Sequence, residues 1–536
     1  MGNKLKMVLP LFILISAVLF AVLPLFLPGF IPTHDGEYHL IRFYEFEKML
    51  RAGHWFPRWA PGLNSGYGIP LFNFFYPFPN YIGALFHSLG WSLVDSFKLT
   101  LATGYLIAVL FCYLWLAKLF NRKAAFVGSI VFAFTPYWFV DLYVRGSVGE
   151  VIAMGWFMIA LTSIERRWLI LLSISTAGII LSHNIMSMLF IPLVVGYGII
   201  RNRSGTPWVI LGVAVSTYFW LPALLERQYV IGLNVVNFRE HFPELFQLLI
   251  PSWGTGFSAA GVPNGEMSQQ LGVGTILLTV WTVVHLLREK GRGVRRLMGI
   301  SLILFIILII FMLSFSQPLW EAVTPLQLLQ YPWRFFSVVV PLSGIFGAYI
   351  VSKLEGNIWG LIIALAAIAF ALGYIRPVIY APRDDAYYLS RREFTDGTSS
   401  LGNSFSTKWS PWKPQRAAKR VEILTGVGVM NGIGEEDPVD LRFDVLLEKE
   451  AMVRVNTTYY PGWTVEVDGK TTAIDFTKDG TIAFAAPGGA HTVRVHFGET
   501  PLRKTADIIS LVSLLWIVLS AILEIKHAYR HRYNSS

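Results

Sequence analysis

Residues 7–28 read MVLPLFILISAVLFAVLPLFLP, and Lys4 and Lys6 stand just before this apolar run. A helix of this length crosses the roughly 30 Å hydrocarbon core of a bilayer. The run is too long for the apolar centre of a signal peptide, and no small-x-small cleavage site follows before Thr33. The sequence therefore predicts a retained anchor that serves as the first transmembrane helix, with the N-terminus in the cytoplasm.

Further apolar runs of spanning length follow along the whole chain. They cover 98–118, 124–141, 149–165, 168–182, 184–200, 207–225, 271–288, 297–315, 334–352, 357–375 and 505–525. With the N-terminus inside, nearly every short loop rich in Lys and Arg falls on the cytoplasmic side, as the positive-inside rule requires. The sequence thus predicts a polytopic α-helical, multi-pass protein of the plasma membrane with about twelve transmembrane helices.

The composition agrees with this class and argues against two others. Of the 536 residues, 54% are hydrophobic and 15% are charged, against about 25% charged in ordinary soluble domains. The formal net charge of +10 comes from short basic loops, so the topology explains it better than a nucleic-acid partner does. The only cysteine, Cys112, lies inside an apolar run, which leaves no disulfide framework.

The pattern divides the chain into three regions. They are a transmembrane domain at 1–375 with its first outside loop at 29–97, a region outside the cytoplasm at 376–504, and a last transmembrane helix with a basic cytoplasmic tail at 505–536. In the middle region apolar and polar residues alternate, and turn pairs such as Asp468-Gly469 and Gly488-Gly489 interrupt them. This combination is typical of β-hairpins, so we expect an all-β, sandwich-like domain there.

A short polar run, THDGEYH at 33–39, stands at the outside end of the first predicted helix. Its titratable side chains are those of His34, Asp35, Glu37 and His39. Titratable groups so close to hydrocarbon are costly unless they have a function. A carboxylate at this depth can meet a lipid head group and a water-soluble partner together, which makes Asp35 the first candidate for a catalytic base.

Two other interpretations of this run stay open. Asp35 can cap a helix that begins near Gly36, with Glu37 in its first turn. The mixed histidine and carboxylate side chains can also serve as ligands of a divalent metal ion. Beyond this metal alternative, the sequence establishes no cofactor.

Polar residues also gather in three later outside segments. These residues are Asp141, Arg145 and Glu150; then His183 and Asn184; and finally Gln330, Tyr331 and Arg334. A guanidinium has the right shape for bidentate contact with phosphate, which makes Arg145 and Arg334 candidate anion contacts. The alternatives are an Arg–carboxylate pair that pins two helix ends, a packed histidine, and an arginine that snorkels in the aromatic belt.

This set of groups fits glycosyl transfer from a lipid-linked sugar phosphate. The phosphate leaving group is a weak base, so no general acid is required and cations need only offset its charge. One carboxylate then suffices to deprotonate the acceptor hydroxyl. A single displacement inverts the anomeric centre, whereas glycoside hydrolases need two carboxylates at a set separation.

Several short motifs are spread over most of the chain. They are His34-Asp35, WFPRW at 55–59, GYG at 66–68, Arg145-Gly146 with Glu150, SHN at 182–184, YPWRF at 331–335 and YPGW at 460–463. With these motifs the chain resembles the GT-C superfamily of polytopic glycosyltransferases, and within it the YfhO-like family, also labelled 6-pyruvoyl-tetrahydropterin synthase-related membrane proteins. The resemblance implies that Asp35 is the catalytic base and that Asp141 or Glu150 is a second acidic site residue.

We therefore expect an inverting glycosyltransferase that moves a sugar from a polyprenyl-phosphate carrier to a glycan, lipid or protein acceptor outside the cytoplasm, in contact with membrane lipids. The expected site comprises catalytic Asp35, Glu37, Asp141 and Glu150; phosphate-binding Arg145, Arg334, His183 and Tyr331; and His34, His39, Asn184 and Gln330. A lipid or polysaccharide transporter and a non-catalytic assembly protein stay as alternatives. Transport is disfavoured because the polar residues gather at one face and no internal repeat is found.

Overall fold

The computed structural model describes residues 2–232, 236–261, 266–410, 412–434 and 437–533, and of 2–9 and 527–533 only the backbone. The side chains of Lys4, Lys6 and the predicted basic tail beyond Lys526 therefore lie outside the described part. Within that part, the chain is mostly helical up to Tyr374 and forms β-strands between Val421 and Phe497.

The helices are numbered along the chain. The first are α1 Gly2–Val22, α2 Gly36–Arg51, α3 Leu71–Phe74, α4 Phe78–Ser88, α5 Leu93–Leu119, α6 Arg122–Ala133, α7 Pro136–Phe139, α8 Val148–Arg166, α9 Leu169–Ser182, α10 Asn184–Arg201 and α11 Thr206–Val215. The others are α12 Thr217–Leu225, α13 Leu245–Leu249, α14 Val273–Leu287, α15 Arg292–Met312, α16 Gln317–Ala322, α17 Thr324–Gln327, α18 Phe336–Lys353, α19 Ile358–Ala371, α20 Asp385–Leu389, α21 Arg392–Thr395 and α22 Pro501–Tyr533.

Among the described residues, six helices are long and apolar enough to cross a membrane, or up to eight if each of two bent pairs is one span. The six are Leu93–Leu119, Val148–Arg166, Asn184–Arg201, Arg292–Met312, Pro332–Lys353 and Pro501–Lys526. The pairs are Arg122–Ala133 with Pro136–Arg145, bent by 46°, and Arg203–Val215 with Thr217–Tyr229, bent by 64°. Shorter apolar helices cover Pro10–Phe26, Leu169–Ser182, Val273–Leu287 and Ile358–Tyr374.

Each predicted apolar run thus corresponds to one of these helices or bent pairs, although fewer of them than predicted have spanning length. The predicted run at 124–141 shows one reason. Pro136 begins the second half of this pair, and a proline cannot continue the hydrogen bonding of the preceding helix. Composition therefore located the apolar segments, but it did not show where their helices break.

The helices differ in how deeply they are buried. The apolar windows of Val148–Arg166 and Pro332–Lys353 are 89% and 94% buried inside the protein, whereas that of Pro501–Lys526 is 17% buried. The first two therefore form the centre of the bundle, and α22 lies at its edge. The candidate site residues 145–150 and 330–334 stand at the N-terminal ends of the two central helices.

The β-region contains two antiparallel sheets. The strands are β1 Val421–Thr425, β2 Gly428–Asn431, β3 Asp440–Leu447, β4 Ala451–Thr458, β5 Trp463–Val467, β6 Lys470–Thr472, β7 Thr481–Ala486 and β8 Gly489–Phe497. One sheet has the order β1-β4-β7 and the other the order β2-β3-β8-β5-β6. Alternate residues of both sheets, such as Val453 and Val493, are buried in one apolar cluster.

The two predicted turn pairs differ in what they connect. Asp468 and Gly469 have φ angles of 51° and 75° and join β5 to β6 through the pair Val467–Lys470, as a two-residue hairpin turn requires. Gly488-Gly489 instead leads from β7 in the three-stranded sheet to β8 in the other. The expected hairpin at Gly488-Gly489 was therefore wrong, because a glycine pair marks a turn but not the partner of the next strand.

Candidate functional site

Asp35 stands at the start of α2, and its carboxylate does not cap that helix. The helix begins at Gly36, as predicted, but the Gly36 amide donates to Thr33 Oγ1 at 3.1 Å and Asp35 makes no capping bond. The Asp35 amide donates to the Arg145 carbonyl at 2.9 Å, which joins the first loop to the Arg145 turn. The half-buried Asp35 side chain therefore remains free of hydrogen bonds to the described residues.

Arg145 ends a π-helical turn, Val140–Arg145, and binds both of its predicted carboxylate neighbours. Its Nη1 group donates to Asp141 and, at 2.6 Å, to Glu150 Oε2. Both carboxylates are fully buried, and the guanidinium lies 4.7 Å from the Trp333 ring centroid. These contacts neutralise much of the charge of Arg145. They fit the alternative in which an Arg–carboxylate pair pins two helix ends.

Glu150 and Asp141 differ in what remains of their carboxylates. Tyr137 and Ser337 donate their hydroxyls to Glu150 Oε1 at 2.7 and 2.6 Å, so both oxygens of Glu150 are occupied. Asp141 keeps one buried oxygen, Oδ2, without a partner in the described part of the chain. The sequence did not indicate the roles of Tyr137 and Ser337, which lie on separate helices.

Arg334 is buried, with 6% of its surface exposed. Its hydrogen bonds go to uncharged groups of the turn that precedes it. Its Nη1 group donates to the Leu329 carbonyl at 2.9 Å and to Gln330 Oε1 at 3.0 Å. Gln330 has a φ of 66°, a left-handed conformation that shapes this turn, and the guanidinium lies 5.0 Å from the Tyr331 ring centroid. Arg334 Nε has no partner, and no carboxylate of the described residues pairs with this guanidinium.

His183 and Asn184 face the aromatic residues of the first loop. His183 is the single extended residue between α9 and α10, and its Nδ1 accepts from the first amides of α10 at 3.2 and 3.3 Å. Its ring stacks on Tyr76 at a centroid distance of 4.9 Å. Asn184 Nδ2 donates to the Phe74 carbonyl at 2.8 Å, while the buried Oδ1 has no partner among the described residues.

The helix α2 presents further polar residues beside Asp35. His39 is 1% exposed, with Nδ1 unpartnered in the described structure, and Arg42 is 6% exposed. Burial and then the charge of Arg42 lower the pKa of His39 well below its usual value, which keeps the ring neutral. Positions 35, 39 and 42 share one helical face because they are four and three residues apart. This spacing could have identified Arg42, which the sequence analysis missed.

Tyr76 is the second residue that the sequence analysis missed. Burial raises the pKa of its hydroxyl far above the usual value, Arg42 opposes the shift, and Asp35, Arg334 and Arg145 also act on it. The Tyr76 hydroxyl is therefore neutral and lies within electrostatic range of three guanidinium groups and of the candidate base. No signal in the sequence set this tyrosine apart from the other aromatic residues of the first loop.

His34 and Glu37 point to other partners. Glu37 forms a half-exposed ion pair with Arg383 at 2.5 Å, and His34 Nε2 contacts the Thr255 carbonyl at 2.9 Å. Among the described residues, no group of three or more His, Cys, Asp or Glu is placed to hold a metal ion. Within that part of the chain, the metal alternative therefore lacks a ligand set.

The structure contains an apolar cavity of about 430 Å³. It is lined by residues of α6, α14 and α19, including Trp281 and Phe370, with Gln270 and Tyr374 as polar groups. Thr135 and Pro136, also in its lining, directly precede Tyr137, which binds Glu150. The break between α6 and α7 therefore connects the cavity lining to Tyr137 along the chain.

Comparisons with known proteins give partial similarities. No protein-family model matches the chain. Over 119 residues, 21% of this chain and 15% of the relative, the sequence is 33% identical to dolichyl-phosphooligosaccharide-protein glycotransferase 2 of Pyrococcus furiosus. ArnT from Cupriavidus metallidurans bound to undecaprenyl phosphate is similar over 68% of this chain and 63% of that chain, with 14% identity and a TM-score of 0.41.

The Archaeoglobus fulgidus oligosaccharyltransferase in its apo form is similar over 74% of this chain and 57% of that chain, with 13% identity and a TM-score of 0.42. The chain thus spans less than two thirds of the length of each of these relatives.

Proposed function

We propose that the protein is a membrane glycosyltransferase that moves a sugar from a polyprenyl-phosphate carrier to an acceptor outside the cytoplasm, with inversion at the anomeric carbon. Asp35 is the general base, and Arg334 is the main contact of the carrier phosphate. The name of the P. furiosus relative, which is identical at 33% of 119 aligned positions, points to the same class of reaction.

The position of Arg334 relative to Asp35 supports this proposal most strongly. Tyr331 lies within range of both groups: burial raises its pKa, the Arg334 charge lowers it, and the Asp35 charge raises it. The buried guanidinium of Arg334, which has no ion-pair partner among the described residues, lies 5.0 Å from the Tyr331 ring centroid, and the free carboxylate of Asp35 acts on the same residue. A buried arginine without a counter-ion is costly, and a phosphate dianion or diester would provide that counter-ion.

The chemical step follows from these positions. Asp35 removes the proton of the acceptor hydroxyl, the acceptor oxygen bonds to the anomeric carbon, and the bond from that carbon to the phosphate oxygen breaks. The bonding electrons leave with the polyprenyl phosphate, and Arg334 offsets the charge that builds there. No protonation of the leaving group is needed, which agrees with a single free carboxylate at this point.

The other candidate residues have supporting roles in this proposal. Asp141 and Glu150 hold Arg145 beside the phosphate position and are not proton-transfer groups, because Arg145 occupies an oxygen of each. His183 and Tyr331 supply the aromatic wall of the site. Glu37 is a tether to Arg383, which belongs to the region before the β-strands.

In this proposal the apolar cavity holds the tail of the carrier. Its lining is dominated by aliphatic and aromatic side chains from helices whose sequence predicts membrane spans. An isoprenoid chain would bury its surface there by the hydrophobic effect, as ligands of apolar pockets do.

The test is a transfer assay with purified protein and a panel of polyprenyl-phosphate sugars. We expect release of free polyprenyl phosphate from at least one donor, together with a new glycoside of inverted anomeric configuration. The Asp35→Asn variant, purified in the same detergent, is the matched control and should release none above background. Equal release by both proteins, or a product of retained configuration, would contradict the proposal.

A further inference from the structure

Arg42 is a buried arginine without a carboxylate partner. Only 6% of its surface is exposed, and it makes no ion pair with any carboxylate of the described residues. Its position on α2 is two turns beyond Asp35, on the same face of the helix. It therefore differs from Arg145, whose guanidinium binds both Asp141 and Glu150.

The contacts of Arg42 come from a distant part of the chain. Its Nε donates to Ser399 Oγ at 3.0 Å, and Nη2 donates to the Ser399 carbonyl. Ser399 has a φ of 53°, a left-handed conformation that is unusual for serine, in the segment between α21 and β1. The guanidinium also lies 3.9 Å from the Phe75 ring centroid. These contacts fix two nitrogens, while Nη1 has no partner in the described part of the chain.

Arg42 adjoins the candidate site through two aromatic rings. The ring of Phe75, against which the guanidinium packs, lies 4.0 Å from the ring of Tyr76. Asp35 and Tyr76 both act electrostatically on Arg42. A buried guanidinium without a counter-ion is costly, so this position favours the binding of an anion. The geometry therefore provides a second anion contact beside Asp35, separate from Arg334.

Arg42 and Arg334 are reached from different parts of the molecule. Arg334 stands at the start of the apolar helix Pro332–Lys353, where a lipid phosphate would approach. Arg42 is held by Ser399, in the region that precedes the β-strands and that the sequence predicts to lie outside the cytoplasm. An anion bound to Arg42 thus belongs to the water-soluble side of the site.

We propose, on the basis of the proposed transferase function, that Arg42 and the Tyr76 hydroxyl bind an oxyanion, a carboxylate or phosphate group, of the acceptor. The acceptor class is then an acidic glycan or another acceptor that carries an anionic group near its reactive hydroxyl. Asp35, on the same face of α2, removes the proton of that hydroxyl.

The first test measures binding without turnover, with inorganic phosphate as the probe and ³¹P saturation transfer as the readout on the purified full chain. Arg334→Gln should retain phosphate binding at Arg42, Arg42→Gln should retain it at Arg334, and the double variant should lose both. Arg239→Gln, which removes an exposed arginine paired with Glu321, is the control and should bind as the wild type does. Unchanged binding in the double variant would overturn the assignment, even if the transferase is active.

The second test uses the acceptor that the transfer assay identifies. Arg42→Gln should raise the acceptor KM by roughly tenfold to a hundredfold, the range for a charged hydrogen bond, and leave the donor KM unchanged. Arg42→Lys should recover part of the loss because it restores the charge. A rise in the donor KM instead would show that the anion is the carrier's own, which overturns the acceptor assignment.

Ser399→Ala keeps the inference testable if Arg42→Gln does not fold. This change removes one hydrogen bond to Arg42 and leaves its charge and its contact with the Ser399 carbonyl. We expect a rise of a few-fold in the acceptor KM, with the melting temperature close to that of the wild type. An acceptor KM equal to that of the wild type in a folded Ser399→Ala protein would show that this contact does not position an anion-binding group.

Discussion

Two clusters of buried arginine lie in this molecule, and their hydrogen bonds differ. The junction cluster links the first loop, α12, the β-region and α22; its members are Arg58, Asn73, Glu226, Tyr460, Glu499, Arg503 and Asp507. Each guanidinium nitrogen of Arg58 and Arg503 donates a hydrogen bond, and each arginine has a carboxylate partner. The site cluster comprises Asp35, His39, Arg42, Tyr76, Asp141, Arg145, Glu150 and Arg334.

The site cluster leaves several buried polar atoms without partners. Those of the described residues include His39 Nδ1, Asp141 Oδ2 and Arg334 Nε. Buried polar groups are normally hydrogen-bonded. In the junction cluster Glu499 Oε2 also lacks a partner among the described residues, but both arginines there are paired with carboxylates, whereas Arg42 and Arg334 are not. We infer that the junction cluster holds the helical region and the β-region together and that the site cluster binds substrate. Variants of the two clusters should therefore affect different properties.

The largest effect is expected from the removal of the base in the site cluster. Asp35→Asn should lower the rate of transfer by about 10²–10⁴-fold, the usual contribution of general base catalysis, with little change in melting temperature. The assay is release of polyprenyl phosphate by equal amounts of purified protein. Glu37→Gln, two residues away and paired with Arg383, is the control and should keep most of the activity. A similar loss of activity in both variants would contradict a specific catalytic role of the Asp35 carboxylate.

The removal of an arginine from the junction cluster should instead reduce stability. Arg503→Met leaves the buried Glu226 carboxylate without its ion pair, which costs about 3–5 kcal/mol. We expect a marked fall in melting temperature in detergent. The double variant Glu226→Gln with Arg503→Met should recover part of the loss, since no buried charge is then left unpaired. Wild-type stability of the single variant would contradict the structural role of this cluster.

Arg334→Gln should weaken binding of the carrier by about 10- to 100-fold, equivalent to about 1.5–3 kcal/mol for a hydrogen bond to a charged group. Folding should not suffer, because Arg334 binds only neutral groups in the free protein. The measurement is the affinity for a polyprenyl phosphate in nanodiscs. If the affinity is unchanged, Arg334 is an interfacial arginine without a role in binding.

The smallest effect concerns pH. His39 has a pKa well below its usual value in the folded protein, so the unfolded chain binds more protons below about pH 6.5. Stability should therefore fall as the pH decreases through this range, by up to about 1.4 kcal/mol per pH unit from this residue. His39→Phe should show a shallower decline of melting temperature between pH 7 and pH 5.

His491 should show the opposite sign. Its bond to Asp468 raises its pKa, so its contribution to stability is present at low pH and is lost as the pH rises through the folded pKa. His491→Asn should remove that contribution.

A decline between pH 7 and pH 5 that His39→Phe leaves unchanged would show that His39 is not responsible for it.

The sequence predicted the apolar segments because they follow from local composition, whereas the place of the site stays a prediction. Apolar runs of spanning length identify helices directly, and polar residues beside them are conspicuous. The start of α2 at Gly36 was also predicted. The sequence could not show which side chain accepts the hydrogen bond from the Gly36 amide. Threonine and aspartate are both good caps, and in the structure the acceptor is Thr33, not Asp35.

The partners of the arginines could not be predicted, because they depend on the tertiary structure. Ser399, which binds Arg42, lies 357 residues away in sequence, and Ser337, which binds Glu150, lies 187 residues away. The pairing of Arg145 with Asp141 and Glu150 depends on the π-helical turn that brings these side chains together. An arginine in a sequence is therefore a candidate anion contact. Only the folded structure shows whether a carboxylate of the protein already pairs with it.

The most direct measurement is a cryo-electron microscopy structure of the protein with a polyprenyl phosphate bound. We expect a phosphate oxygen within about 2.7–3.2 Å of Arg334 Nε or Nη, the tail in the cavity between α6, α14 and α19, and the Asp35 carboxylate facing the phosphate. A carrier bound elsewhere, with Arg334 still held only by Leu329 and Gln330, would contradict the assignment of this cluster as the substrate site.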